Sequence, residues 1–401
     1  MRPPGFKVIR LKLDQKKIIA FCAGFLACAA LIAGAILSGF GGWDAVRAAW
    51  KYASVLRIIQ TDYVADYDIG EITDAALAGA ISGLDDRWSY YMDAEEYAAY
   101  KDYSANRYQG IGVTITKDEE SGGFIILAVT KDGPAQTAGI IPGDMILAVD
   151  GQDVTEAEMA DLRSLIQSDF GQSAIITVRH EDGSVEDFPV SCEEVYSPPV
   201  EEALLADDVG YIVISNFREG AGALAVEAVD TLTEQGAQYL VFDVRSNPGG
   251  QVSEMTEILD RLLPEGDIFI RADKNGNEMV ETSDETCVEL PMAVIVNTDS
   301  YSAAEYFAAA LKEYGAAALV GEPTTGKARS QVTVALRDGS AVHLSKYTYL
   351  TPQRNDLFAA GGLQPDVEIT LTEEQRQQFD TGWLEPEDDP QVKAAISELT
   401  A

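Results

Sequence analysis

Three residue types that could do hydrolytic chemistry lie within one stretch, Asn297 to Gln331. Ser302 stands at an expected helix start, Lys327 follows 25 positions later, and Gln331 comes four beyond that. A serine hydroxyl is a poor nucleophile until a base takes its proton, and a lysine is such a base when its surroundings lower its pKa enough to leave the amine neutral. A glutamine can hold that amine without adding a negative charge that would push the pKa back up. The three therefore read as a Ser-Lys pair with an uncharged support.

The residues alone also allow two other readings. Ser302-Ala-Ala-Glu305 fits the capping box S-x-x-E, in which the serine oxygen receives a backbone N–H and does no chemistry. Gly321-Glu-Pro-Thr-Thr-Gly326-Lys327 matches the first seven positions of the phosphate loop G-x-x-x-x-G-K-[ST] and follows the strand-like Ala318-Leu-Val320. The eighth position, Ala328, has no hydroxyl for magnesium. Gln331 to Leu336 alternates like a strand where a phosphate loop needs a helix.

The elements that must position these residues read as α/β. Gly210 to Ile214 and Tyr239 to Val244 have the composition of buried strands and bracket a helix near 221–235. Asn247-Pro-Gly-Gly250 then turns the chain into a helix whose Met255, Ile258, Leu259, Leu262 and Leu263 recur at three- and four-residue steps. The chain has only two histidines. A Ser-His-Asp enzyme would have to use His343, on the alternating strand from Ser340 to Leu350, because His180 lies far upstream beside a turn. With no H-E-x-x-H and no cysteine cluster, no metal site is expected.

Asn297 to Glu305, Gly326-Lys327-x-x-x-Gln331 and Val241-Phe-Asp-Val-Arg-Ser-Asn-Pro-Gly-Gly250 together resemble the carboxyl-terminal processing peptidases, or tail-specific proteases. The resemblance implies that Ser302 is the nucleophile of the family's S-A-S-E motif, here with Ala304 for the second serine and Tyr301 as an unusual neighbour. It implies that Lys327 is the base and Gln331 its support, and that a glycine N–H of Gly249 or Gly250, with that of Ala303, faces the developing oxyanion. It implies hydrolysis through an acyl-enzyme with no cofactor.

The same resemblance extends upstream. Tyr108-Gln-Gly-Ile-Gly-Val113 resembles the carboxylate-binding loop of a PDZ domain, Gly133 to Gly139 its short helix, and Gly143 to Gly151 its next strand and turn. Met159, Leu162, Leu165 and Ile166 share one face of a helix bordering the groove. Such a groove takes a peptide as an added strand, so Tyr108, Gln109, Gly110, Ile111, Gly112 and Val113 are the expected contacts for a polypeptide C-terminus. Gln167 stands where many relatives carry an arginine. Gly83 to Tyr91 and Glu95-Glu-Tyr97 resemble the segment before that domain, which in some members builds dimers or frames the substrate path, so a homodimer is a possible assembly.

The fold expected is mixed α/β, with a PDZ domain inserted before an α/β serine-protease core. In chain order the expectation is a basic tail over 1–17, a transmembrane helix over 18–40, a helical region over 43–107, the PDZ domain over 108–190, the protease core over 197–370 and an acidic tail with a short helix over 371–401. Residues 1–17 carry a net +5, and Ile18 to Phe40 holds 23 residues without a charge. That length crosses a bilayer, and positive flanks stay inside, so the remainder is expected outside the cytoplasm. The whole chain has formal charge −37, which leaves −42 beyond the basic tail and argues against nucleic acid as a partner. Cys192 and Cys287 could pair in an oxidising compartment or stand free.

The reading is thus a single-pass, membrane-anchored serine endopeptidase that receives polypeptide C-termini. A catalytically silent PDZ scaffold is the first alternative, and a nucleotide-binding protein using Gly321 to Lys327 the second.

Overall fold

Apolar runs such as Met292-Ala-Val-Ile-Val296 lack the alternation of a half-exposed strand because both faces of their sheet are covered. The computed structural model, which describes residues 41–118, 122–168 and 170–400 together with Gly34 and Gly39, places this run at the middle of a six-stranded sheet. Its order is Val200–Leu205, Val209–Ile214, Tyr239–Asp243, Met292–Val296, Ala317–Gly321 and Val367–Glu368. The first pair is antiparallel and every other pair parallel.

Side chains alternate across this sheet. Ile212, Ile214, Leu240, Phe242, Val294, Val296 and Leu319 face one core with the helices Ala221–Glu234, Val252–Leu262 and Ala303–Glu313. Tyr211, Val241, Ala293, Ile295 and Val320 face a second core closed by Val392 and Ala395 of the helix Pro390–Thr400. Burying a Val, Leu or Ile fully is worth about 1.5 to 3 kcal/mol, so loss of this helix would expose a whole sheet face. The acidic tail, expected only to pack as a short helix, is therefore one layer of the α/β core. Arg245 reinforces the attachment: buried, it donates to Asp243, to Asp389 Oδ2 at 2.6 Å and to Gln391 Oε1 at 2.8 Å. Removing one partner of such a buried ion pair costs about 3 to 5 kcal/mol.

A second, antiparallel sheet holds Tyr90–Met92, Ala341–Leu350, Gly266–Ala272 and Glu278–Ser283, with Arg329–Ala335 also paired to Ala341–Leu350. The region 43–107, expected as helical throughout, contains the helices Trp43–Asp62, Ile69–Ser82 and Ala94–Ser104 but also this strand Tyr90–Met92. Three residues are too few to show a period, and the strand forms because Tyr90 pairs with His343 far downstream. The segment from Gly326-Lys327 runs directly into the strand Arg329–Ala335, so the helix that a phosphate loop requires is not there.

The segment expected as a PDZ domain has its own core around Phe124, Ile126, Ile146, Leu162 and Ile176. Its sheet runs Val113–Lys117, Phe124–Val129, Met145–Val149, Ser173–Arg179, Val185–Ser191, which leaves Val113–Lys117 as an edge strand. Leu162 and Ile166 of the helix Met159–Ser168 are buried against this core.

Residues 1–73 and 74–401 form two separate units. In the first, the helix Trp43–Asp62 buries no residue, and Tyr52 donates to Thr73 Oγ1 at 2.9 Å. Among the described residues no helix is long and apolar enough to cross a membrane, and the span expected over 18–40 lies outside them apart from Gly34 and Gly39. Cys192 is buried and Cys287 half-buried, and among the described residues neither forms a disulfide.

Candidate active site

Ser302 lies between the strand Met292–Val296 and the helix Ala303–Glu313, with φ 59° and ψ −125°. A non-glycine residue there is strained, and such strain persists only where neighbours over-determine it. The neighbours are polar, and Asn247, Asn297 and Ser300 among them are buried. Ser300 Oγ donates to Val244 O at 2.7 Å, Ser246 N–H donates to Asn297 Oδ1 at 2.8 Å, and Tyr301 N–H donates to Asn247 O at 3.1 Å. The serine loop is thereby clamped to the chain leaving the strand Tyr239–Asp243.

Glu305 is fully buried and accepts four hydrogen bonds. Oε2 takes the backbone N–H of Ser302 at 3.0 Å and of Lys327 at 2.8 Å, and Oε1 takes the N–H of Gly326 at 2.6 Å and the hydroxyl of Thr324 at 2.5 Å. The capping-box arrangement is present, but Ser302 makes no side-chain cap hydrogen bond of ordinary geometry, and the Glu305 N–H donates to the Ser302 carbonyl oxygen at 3.0 Å. One carboxylate therefore joins the backbone of the serine to that of the lysine.

Gly249 packs directly on Ser302: a Cβ at Gly249 would lie 2.8 Å from Ser302 Cβ. Its N–H already donates to Asn247 Oδ1 at 2.8 Å, which removes it from the expected oxyanion donors. Gly250 differs. Phe217 N–H donates to Gly249 O at 2.9 Å and Gln251 N–H to Phe217 O at 2.6 Å, a parallel bridge that turns the N–H of Gly250 itself away from Phe217. Among the described hydrogen bonds neither Gly250 N–H nor Ala303 N–H has a partner. Those two are the open donors beside Ser302. A Cβ at Gly250 would meet Phe217 O at 2.1 Å, so only glycine fits the bridge.

Ser302, Gly249, Gly250, Lys327, Gln331 and His343 all line one cleft of about 860 Å³. Tyr301 also lines it, whereas Ala304 is buried in the core, so neither substitution closes the serine off. Burial first, and then the Arg87 charge, lower the pKa of Lys327 to about 8 against the opposing charges of Glu305 and Asp86. The amine rests 4.0 Å from the centre of the Trp88 ring and 5.5 Å from that of Tyr301. Among the described hydrogen bonds none joins it to Ser302 Oγ or to Gln331. The Gln331 amide instead donates to Ser345 Oγ at 3.0 Å and Arg329 O at 3.1 Å, so the expected support contact is not formed in this arrangement. His343 Nδ1 lies 2.8 Å from Thr333 Oγ1, its ring stacks on Tyr90 at 4.7 Å, and burial with the Lys327 charge lowers its pKa to about 4.

The residues expected to receive a polypeptide end fall into two groups. Tyr108, Gln109 and Gly110 pair with Glu193–Tyr196 in a two-stranded ribbon outside the PDZ sheet, and Gln167 Nε2 donates to Gln109 O at 3.1 Å. Ile111 is buried and Gly112 turns at φ 82° into the edge strand that starts at Val113. The first group thus touches the helix Met159–Ser168 through Gln109, and the second leads into the edge strand.

Trp88 was visible only as part of an upstream segment, and Asn247 and Glu305 as a turn and a cap. Their roles arise from contacts between distant segments, for which one sequence carries no periodic signal. Among the described residues no group of acids, histidines and cysteines is arranged to hold a metal ion.

Comparison with known proteins adds a family and a fold. The model of peptidase family S41 matches residues 208–369, and a PDZ domain model matches 125–180. Carboxy-terminal processing protease CtpA of Bacillus subtilis is 30% identical over 315 residues, covering 78% of this chain and 67% of the relative. CtpB of the same organism is 30% identical over 341 residues, covering 84% and 70%. A crystal structure described as an S41 protease from Bacteroides fragilis aligns with TM-score 0.60 over 84% of this chain and 92% of its own, at 16% identity, a likeness of fold.

The contact of Gly249 with Ser302 makes a testable demand. Gly249→Ala should displace the serine and lower kcat/KM by about a hundredfold while the protein stays folded, since a displacement of about 1 Å at a reacting group costs that much. Circular dichroism with peptide-cleavage kinetics checks both halves, and full activity would show that the close approach is not needed.

Proposed function

The chain belongs to peptidase family S41 and is a serine-type peptidase of the carboxy-terminal processing group, and from that premise we propose that it cuts polypeptides by a Ser-Lys mechanism, with Ser302 as nucleophile and Lys327 as base. One observation carries this reading. A half-buried lysine whose pKa is lowered to about 8 shares a cleft with Ser302, and both backbones hang on the Glu305 carboxylate.

In the proposed reaction the neutral amine turns from Trp88 toward Ser302 Oγ and takes its proton as the oxygen attacks the scissile carbonyl. Hydrogen bonds of this kind tighten when substrate is bound. Gly250 and Ala303 N–H donate to the developing oxyanion, each donor being worth about 3 to 4 kcal/mol of barrier. The ammonium of Lys327 protonates the leaving amine, and water, deprotonated by the same amine, then cleaves the acyl-enzyme. Gln331 can join through its amide oxygen, which its two donated bonds leave uncommitted. His343 lies in the same cleft, but a pKa near 4 makes it a weak base.

Two finer features belong to the proposal. The PDZ groove between Val113–Lys117 and Met159–Ser168 takes the substrate's C-terminal segment as an added strand, a role supported by the edge of that strand, unpaired among the described residues. Residues 18–40 anchor the chain with its bulk outside the cytoplasm, supported by the uncharged run and the basic flank.

Four measurements test the proposal. Ser302→Ala, Lys327→Ala and Lys327→Arg should each abolish turnover, the last because a guanidinium keeps its proton, while His343→Ala should cost far less. Because the active amine is the unprotonated form and its pKa lies near 8, kcat/KM should rise about tenfold per pH unit below 8 and level off above it. Cleavage by Lys327→Ala with loss in His343→Ala would reverse the assignment of the base. Amidating a substrate's C-terminus should weaken binding, and equal affinity for acid and amide would remove the groove from substrate selection. A reporter fused after Ala401 should be active only as an extracytoplasmic protein, and a soluble product beginning after Gly34 would mean that the apolar segment is cut.

A further inference from the structure

Three cations line the cleft, and two of them are engaged. Arg271 forms an ion pair with Glu281, and the Lys327 amine rests on Trp88. The third, Arg218, forms no ion pair among the described residues of a chain with 66 acidic side chains. Its Nη1 donates to Tyr103 O at 2.6 Å, its Cζ lies 3.9 Å from the centre of the Tyr103 ring, and its buried Nε has no partner. Burial lowers its pKa, but a guanidinium keeps its charge throughout the working range. A half-buried cation is thus held still by an aromatic ring and a carbonyl, with most of its five donors unused.

Its position relates it to the reacting centre. Arg218 follows Phe217, whose backbone brackets Gly250, and its own N–H is fixed on Asn216 Oδ1 at 2.9 Å. A polypeptide carbonyl seated at Gly250 N–H therefore brings the neighbouring substrate residues past this guanidinium. Glu257 and Asp260 line the same cleft and repel a carboxylate elsewhere in it, which makes the preference positional.

We propose that Arg218 forms an anion-recognition subsite of the cleft, taking a carboxylate of the bound polypeptide close to the scissile bond. The inference rests on the reading of this cleft as the place where polypeptide is cut. The planar fork of an arginine suits a carboxylate, and because Tyr103 already orders the side chain, little conformational freedom is lost on binding. The carboxylate is either an acidic side chain or a free chain end, and the test separates them.

Peptides carrying one Glu moved stepwise along the sequence, each matched to its Gln counterpart, are compared with an acid and amide pair at the C-terminus. They are assayed with the full-length protein and its Arg218→Gln and Arg218→Lys variants. At one position the wild type should prefer Glu about tenfold in kcat/KM, the order expected of a charge-assisted hydrogen bond, with the difference in KM and diminishing at high salt. Arg218→Gln should bring that ratio near one, and Arg218→Lys should keep part of it. If the ratio that depends on Arg218 is acid over amide, the group is the chain end; if it is internal Glu over Gln, it is a side chain. Identical ratios in wild type and Arg218→Gln at every position overturn the subsite. If Arg218→Gln fails to label with a serine-directed probe, a wild-type ratio indifferent to both salt and Arg218→Lys overturns it instead. Ser302→Ala separates the two levels: cleavage persisting there refutes the serine mechanism, whereas an unchanged ratio with Ser302 essential refutes only the role of Arg218.

Discussion

The Glu305 carboxylate is the interaction on which the site depends. Fully buried, it accepts from the backbones of Ser302, Gly326 and Lys327 and from the Thr324 hydroxyl. A buried carboxylate is tolerable only when its lone pairs are satisfied, and here the donors that satisfy it are the main chains carrying the serine and the lysine. The solvation requirement of one acid thus fixes the relative placement of two loops. It also sets a constraint on Lys327, because the same charge opposes the burial that lowers the lysine's pKa. The proposed base operates on the balance between these terms.

Around that anchor the glycines of Asn247-Pro-Gly-Gly250 do separate work. Gly249 is required by contact, since no Cβ fits against Ser302, and its N–H steadies the turn through Asn247. Gly250 is required by the bridge to Phe217, and its N–H is left directed away from that bridge. The central sheet supports both, because the strands preceding the turn and preceding Ser302 are neighbours with parallel register, Asp243 beside Ile295. Two loops leaving the same end of adjacent parallel strands are placed side by side without further contacts, as is general for sites in parallel α/β sheets.

The other walls of the cleft come from elsewhere. Trp88, Tyr100 and Tyr103 belong to the segment before the PDZ domain, whereas His343, Tyr347 and Tyr349 lie on the antiparallel sheet. Tyr90 joins them by pairing with His343, and Ser345 N–H donates to Ser89 Oγ at 2.9 Å. A segment that reads as a packed arm is therefore part of the chemical environment, supplying the aromatic face on which the Lys327 amine rests.

Much of this protein is determined locally. Continuous apolar runs mark strands covered on both faces, three- and four-residue steps mark the helices between them, and the alternation from Gln331 onward argues against a phosphate loop without any structure. Ser302 and Lys327 are legible as candidates from residue type, because few side chains supply a nucleophile and a neutral base, and the family resemblance selects them over the cap and the phosphate loop. Tertiary structure alone decided which N–H beside Ser302 is open, because Gly249 and Gly250 are adjacent and identical in type yet face different partners. It alone decided that Pro390–Thr400 closes one face of the core, that Gln331 turns its amide toward Ser345, and that Arg218 stands without a counter-ion among the described residues. Each of these depends on atoms brought together from distant segments, and local periodicity reports only which face of an element is buried, not what meets it there.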